Sequence, residues 1–174
     1  MGQSTSYALD LCGMPTGTQQ FTYTVGDDFF SAMESSEIRA GHVDVELTVK
    51  HEGDMFDLSF EMTGEIVIGC DRCLDDLRQA VDTEYAITVK YGEEYNDDSD
   101  DTLIIPEGER SLDLSGMIYD TIALTIPLKH VHEDGECNAE MLAQLKAHSG
   151  AADMEEGTND PRWEALRNLL DNNK

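Results

Sequence analysis

Basic residues are scarce in this chain: eleven Lys and Arg stand against 37 Asp and Glu over 174 residues, for a formal net charge of -26. Such a field repels phosphate backbones and anionic membranes, which disfavours direct nucleic-acid or lipid-surface binding as the main activity. Arg72, Arg78 and Arg162 are too sparse to line an RNA groove. Long apolar runs are missing too, and residues 1–6 contain neither a basic nor an apolar stretch of the kind that opens a secretory leader. No membrane association and a cytoplasmic location are therefore expected. Cysteine is limited to four residues, and in a reducing compartment these are read as thiols, metal ligands or redox groups, not as two disulfides. There is no internal repeat, P-loop, dinucleotide-type glycine pattern or nucleophile elbow. Nothing in the residues argues for an active site, and the chain is expected not to be an enzyme.

What is abundant is negative charge, and its natural counterpart is a Lys/Arg-rich protein, whose encounter the acidic field accelerates. The length suits one folded domain, and a hydrophobic content of 40% leaves some chain outside the core as solvated loop or tail.

The patterning is that of an α+β fold: an antiparallel sheet, strongly curved or barrel-like, packed with a few short helices. Residues 7–12 and 20–25 read as a hairpin turning through Gly13–Gly17, and Asp27 as the cap of a helix reaching Ile38. Val43, Val45, Leu47 and Val49 alternate with polar residues, as do Phe56, Leu58, Phe60 and Met62, a pattern continued by Ile66 and Ile68; each run predicts a half-buried strand. Tyr85, Ile87, Val89 and Tyr91 predict another. The acidic run from Glu93 to Asp101 reads as a mobile loop. A short strand follows at Leu103–Ile105, then a helix over 114–125, introduced by Asp113 and closed off by Pro127, with Met117, Ile118, Ile122 and Leu124 on its buried side. A short helix is expected at 140–145. The expected organisation is one α+β domain over 1–147, an acidic linker over 148–159 and a C-terminal amphipathic helix over 160–174, in which Asp160-Pro161 begins the helix and Trp163, Leu166, Leu169 and Leu170 form its apolar face.

The strongest chemical signal is Cys70-Asp71-Arg72-Cys73 at the end of a strand, with His132 and Cys137 far downstream. Two thiolates separated by two residues can bind one tetrahedral zinc, and a second pair closes the coordination sphere without leaving a position for water. Such a zinc would be structural, with Cys70, Cys73, His132 and Cys137 as ligands and His130 as an alternative to His132. Two other readings stand beside it. All four can be ordinary residues, since cysteine is often a small buried hydrophobe; or Cys70 and Cys73 can be a redox pair, which would require a helix N-terminus where the pattern instead shows antiparallel strands. Cys12, alone in the first hairpin, reads as a core thiol. Asp97, Asp98, Asp100 and Asp101 lack the glycine turn and terminal Glu of a calcium loop. Together with Trp163 they are instead candidate partner-facing residues.

The run Ile68-Gly69-Cys70-Asp71-Arg72-Cys73-Leu74, the acidic insert, Leu112-Asp113-Leu114 before a helix, Ile126-Pro127-Leu128-Lys129 after it and Asp160-Pro161-Arg162-Trp163 form an ordered series. That series resembles the YceD-like family, the large ribosomal RNA subunit accumulation proteins, from about Val43 to the C-terminus. The resemblance implies a non-enzymatic role in accumulation or processing of large-subunit ribosomal RNA, often near a basic ribosomal protein. Many members look as though they carry CxxC pairs at both places, whereas this chain offers His132 and Cys137 at the second. Charge and resemblance together suggest a basic ribosomal protein or large-subunit assembly factor as partner, with ribosomal RNA contacted mainly indirectly. The rivals are a metal-dependent hydrolase with an open Cys/His zinc site, and a generic acidic interaction module whose terminal helix docks into a partner's groove.

Overall fold

The computed structural model describes residues 7–33, 37–99 and 101–148. In chain order the elements are β1 (Ala8–Asp10), β2 (Gly17–Val25), α1 (Asp27–Ala32), β3 (Ile38–Glu52), β4 (Met55–Gly69), β5 (Asp76–Gly92) and β6 (Asn96–Ser99). They continue with β7 (Thr102–Pro106), β8 (Ser111–Asp113), α2 (Ser115–Ala123) and α3 (Ala139–His148). The chain divides into two compact units, Met1–His132 and Glu133–Lys174, and α3 is the described helix of the second.

Alternation of apolar and polar residues builds the first unit. Val43, Val45, Leu47 and Val49 of β3 are buried, as are Phe56, Leu58, Phe60, Met62, Ile66 and Ile68 of β4. Their polar neighbours Asp44, Glu46, Asp57 and Glu61 are exposed, so the sheet has one apolar face and one wet face. The two strands pair antiparallel across a two-residue loop in which Gly53 adopts φ 62°, a left-handed position that glycine takes without strain. The six-stranded sheet runs in the order β2-β3-β4-β5-β7-β6. Because β2 and β6 each have a single neighbour, the sheet is open and is not a closed barrel. All its pairings are antiparallel except β5 with β7, which is parallel over Thr88–Gly92 against Thr102–Pro106.

Several local expectations change. The strands at 8–10 and 17–25 form, but not as a hairpin with each other: β1 pairs with β8, matching Leu9 to Leu112, while β2 pairs with β3. The nine-residue β2 finds a full-length partner in β3, which three-residue β1 could not supply. Asp27 does not cap a helix reaching Ile38. Helix α1 ends at Ala32, the Asp27 carboxylate accepts the backbone N–H of Gly41 at 2.9 Å, and Ile38 opens β3. The sequence Asn96–Ser99, expected within a loop, forms a short edge strand whose hydrogen bonds go to β7. An acidic edge of this kind discourages pairing with further chains. In α2, Ile118 and Ile122 are fully buried and Met117 half-buried, but Leu124 is 86% exposed. At 100° per residue Leu124 points well away from the Ile118–Ile122 stripe, and Thr121 takes the inward place. Cys12 is exposed and is not a core thiol, because Leu11 and Met14 occupy the inward positions of its turn. Of the expected linker over 148–159, His148 is instead the last residue of α3; the remainder, with the terminal helix over 160–174 and Trp163, lies outside the described residues, as does Asp100.

Candidate metal centre

Strand β4 delivers the buried Ile68 and then Gly69 to the start of a tight turn. The Cys70 N–H donates to the Asp75 carbonyl at 2.8 Å and the Leu74 N–H to the Cys70 carbonyl at 2.9 Å. Leu74 takes φ 64°, an uncommon conformation for a leucine, and its side chain is left 62% exposed. The turn folds Cys70 and Cys73 inward, both fully buried. Arg39 of β3 holds the outside of this turn: Nη2 donates to the Leu74 carbonyl at 3.1 Å and Nη1 to Asp76 at 2.6 Å. Gly69 makes room for that guanidinium, since a Cβ there would stand 2.7 Å from Nη2.

The segment after α2 is tied to the same turn by a reciprocal pair of hydrogen bonds. The Asp71 N–H donates to the His130 carbonyl at 2.9 Å, and the His130 N–H donates to Asp71 Oδ2 at 3.0 Å. His130 is thereby a positioning residue and not a ligand: its Nδ1 faces the Pro127 carbonyl at 3.0 Å and its Nε2 faces Asp71 at 3.2 Å. Two residues later His132 Nδ1 comes within 3.3 Å of Cys73 Sγ. His132 Nε2 is 3.0 Å from the Asp76 carbonyl, an acceptor only, so Nε2 carries the proton and Nδ1 presents its lone pair to the thiols. A ring nitrogen fixed by a backbone carbonyl is the usual outer support of a metal-binding histidine.

Cys70, Cys73, His132 and Cys137 each offer one ligand atom, and these atoms all lie within 4.8 Å of one another. Tetrahedral zinc with Zn–S bonds of about 2.3 Å and Zn–N bonds of about 2.0 Å sets neighbouring ligand atoms roughly 3.5–4 Å apart, so this cluster needs only a small contraction. Cys137 is buried, His132 half-buried, and all the thiols are free of disulfides. Electrostatics favour the thiolate. Burial pushes the Cys70 thiol up, but backbone N–H groups of Cys73, His132 and Arg72 and a hydrogen bond from the Cys73 side chain outweigh it, bringing the pKa down to about 6. The Arg72 N–H lies 3.4 Å from Cys70 Sγ. The hydrogen bond to the Asp76 carbonyl, against a smaller opposing effect of burial, raises the pKa of His132, with further upward contributions from Cys70 and Cys73. The arrangement is compatible with metal binding.

All four candidate ligand residues singled out in the sequence are thus brought together. Among the acidic candidates, Asp97 and Asp101 are exposed in and beside β6, and Asp98 belongs to the same strand. Sequence reasoning missed Arg39, the Asp71–His130 exchange and the Asp76 carbonyl. Asp71 lies inside the Cys-x-x-Cys motif and could have been suspected, whereas a backbone acceptor leaves no trace in residue type.

No curated protein and no solved structure matches the chain. Among the described residues, no helix is long and apolar enough to cross a membrane. Residues 58–170 match a family described as Large ribosomal RNA subunit accumulation protein YceD, a span that contains both halves of the Cys/His cluster and well over half of the sequence. The chain belongs to the YceD family, whose description points to a role in accumulation of large-subunit ribosomal RNA.

Proposed function

We propose that this protein is a non-catalytic ribosome-biogenesis factor that supports accumulation of large-subunit ribosomal RNA by holding a basic ribosomal protein or assembly factor until it meets RNA. The observation that carries the proposal is the family match over residues 58–170. The charge of -26 supports a cationic protein partner and opposes RNA as the direct ligand. In this reading the protein works in the cytoplasm and contacts ribosomal RNA mainly through its partner. Asp97, Asp98, Asp100, Asp101 and Trp163 are candidate contributors to that contact.

Zinc is the metal best suited to the ligand set of three thiolates and one imidazole, and its role here is structural. When bound it cross-links the turn after β4 to the segment after α2. Four protein ligands close the coordination sphere, which removes the open position that a zinc hydrolase needs.

The test is capture of partners on the purified full chain from a lysate of its own organism at moderate salt, before and after nuclease treatment. Recovery of a basic large-subunit protein or assembly factor that survives nuclease supports the proposal. Loss of all ribosomal material after nuclease would mean attachment through RNA, and unchanged large-subunit RNA in cells lacking the protein would remove the biological role.

A further inference from the structure

Beside the sheet edge formed by β5, β7 and β6 lies an open cavity of about 790 Å³, bounded on its other side by β8 and α2. Leu103 and Ile105 of β7 are buried in its floor, and Ile87 of β5 and Met117 of α2 are half-exposed within it. Around the mouth stand Asp97, Glu109, Asp113 and Asp120, all exposed, with no Lys or Arg among the lining residues. The cations Arg39, Lys50 and Arg78 are committed elsewhere, to Asp76, Glu52 and Glu65. Asp113 accepts the Ser115 N–H and hydroxyl, and the Tyr95 hydroxyl lies 3.3 Å from Asp97. Among the described residues no ion pair engages Asp97, Glu109, Asp113 or Asp120, and these neutral donors do not cancel the charge of the rim. A second cavity of about 390 Å³ shares Tyr85, Met117 and Asp120 and so continues the concave surface along α2.

We infer that this groove seats an extended segment of a partner protein in which Lys or Arg alternates with aliphatic residues. The inference rests on the basic-partner reading above and gives that partner a seat and a local chemistry. Charge complementarity identifies the occupant: an apolar floor under a rim of four carboxylates suits side chains that are aliphatic on one face and cationic on the other. In an extended chain alternate residues face opposite ways. Aliphatic side chains then lie on Ile87, Leu103 and Met117, while the stems of Lys or Arg curl over the rim and carry their charges to Asp113, Asp120 and Glu109. The sheet edge favours such a conformation. Of β5, β7 covers only Thr88–Gly92, and among the described residues no strand pairs with the outer edge of β5 before Thr88. The backbone of the segment can therefore continue the sheet beside β5, a recurrent mode of peptide recognition.

The experiment titrates the full chain with three labelled synthetic peptides of equal length: alternating Lys and Val, alternating Lys and Gly, and alternating Glu and Val. Binding is read by fluorescence anisotropy at physiological salt. The Lys–Val peptide is expected to bind roughly tenfold or more tightly than Lys–Gly, with Glu–Val not binding. Glu109→Lys with Asp120→Lys should weaken Lys–Val binding by at least about tenfold. The matched control, Glu46→Lys with Glu61→Lys on the exposed face of β3 and β4, makes the same change in net charge and should weaken it by less than about threefold. Gly116→Trp provides a test without charge change: Gly116 lines the groove, has open space where a Cβ would stand, and a bulky ring there should block the peptide.

Equal weakening by the two charge-reversal pairs, equal binding of Lys–Val and Lys–Gly, or full binding by Gly116→Trp would each overturn the groove. Partner capture separates this proposal from the proposed function. A groove variant that loses the peptide yet still captures the ribosomal partner overturns the groove as that partner's seat and leaves the family role standing. Wild-type protein that binds Lys–Val in the groove but captures no ribosomal component supports the groove and overturns the ribosomal partner.

Discussion

At Gly64 of β4, which pairs with Val43 of β3, a Cβ would collide with the His42 carbonyl oxygen and stand 2.7 Å from Val43 Cα. Both obstacles are backbone inside a long antiparallel strand pair, so neither can rotate away. Gly64→Ala is therefore expected to destabilise the fold by about 2–3 kcal/mol, at the upper end of ordinary overpacking, and a urea melt will show it as a lower midpoint with unchanged slope. The metal cluster makes a different single-residue prediction. His132 supplies its Nδ1 lone pair only because Nε2 is fixed on the Asp76 carbonyl. His132→Ala removes one ligand and should cut zinc retained through purification to well below one atom per chain. His132→Cys, which restores a fourth soft ligand, should retain it. Elemental analysis of the two variants beside wild type distinguishes a metal site from a chance cluster, since without metal neither substitution changes the zinc content. The cluster of Cys70, Cys73, His132 and Cys137 was legible from residue type and spacing because thiol and imidazole chemistry is local to the side chain. Arg39 was not, because its role depends on β3 lying beside the turn, a matter of register that no single stretch of sequence displays.

The helix α2 shows how far periodicity reaches and where it stops. Ile118 and Ile122 lie on the buried stripe, whereas Leu124, at the C-cap, does not. Ile118→Ala is expected to cost about 2–4 kcal/mol, the range for deleting a buried aliphatic side chain, and Leu124→Ala less than about 0.5 kcal/mol, as for an exposed position. Parallel denaturant melts of the two variants check the assignment; similar losses would mean that Leu124 is covered in solution. Among strands, β3 and β4 were readable because their alternation is uninterrupted over long stretches. The first half of β5 was not: inward positions such as Gln79 and Thr83 are polar, so the alternation fades although pairing with β4 continues to Asp76. The parallel placement of β7 and the pairing of β1 with β8 were hidden for another reason. Both depend on contacts distant in sequence, and a short apolar run carries no label for its partner.

Over the whole molecule the dominant quantity is the charge of -26. Like charges crowd the exposed face of the sheet, where Glu46 stands directly opposite Glu61 and Asp44 lies two residues along the same strand. Among the described residues, ion pairs such as Arg39 with Asp76 and Arg78 with Glu65 relieve part of that repulsion. Compaction brings these charges closer than they are in the unfolded chain, so self-repulsion lowers stability most at low ionic strength. Screening shortens the reach of each charge from about 30 Å at 0.01 M salt to about 10 Å at 0.1 M, which should raise the thermal midpoint of the isolated protein across that range. The same screening weakens attraction to a cationic partner and slows its capture. Opposite responses are therefore expected from one variable: added sodium chloride raises the melting temperature while lowering the association rate with the Lys–Val peptide. Scanning calorimetry and stopped-flow binding over the same salt series measure the two arms. A melting temperature that falls with salt would show that the ion pairs outweigh the repulsion, and an association rate indifferent to salt would show that the acidic surface does not steer its partner.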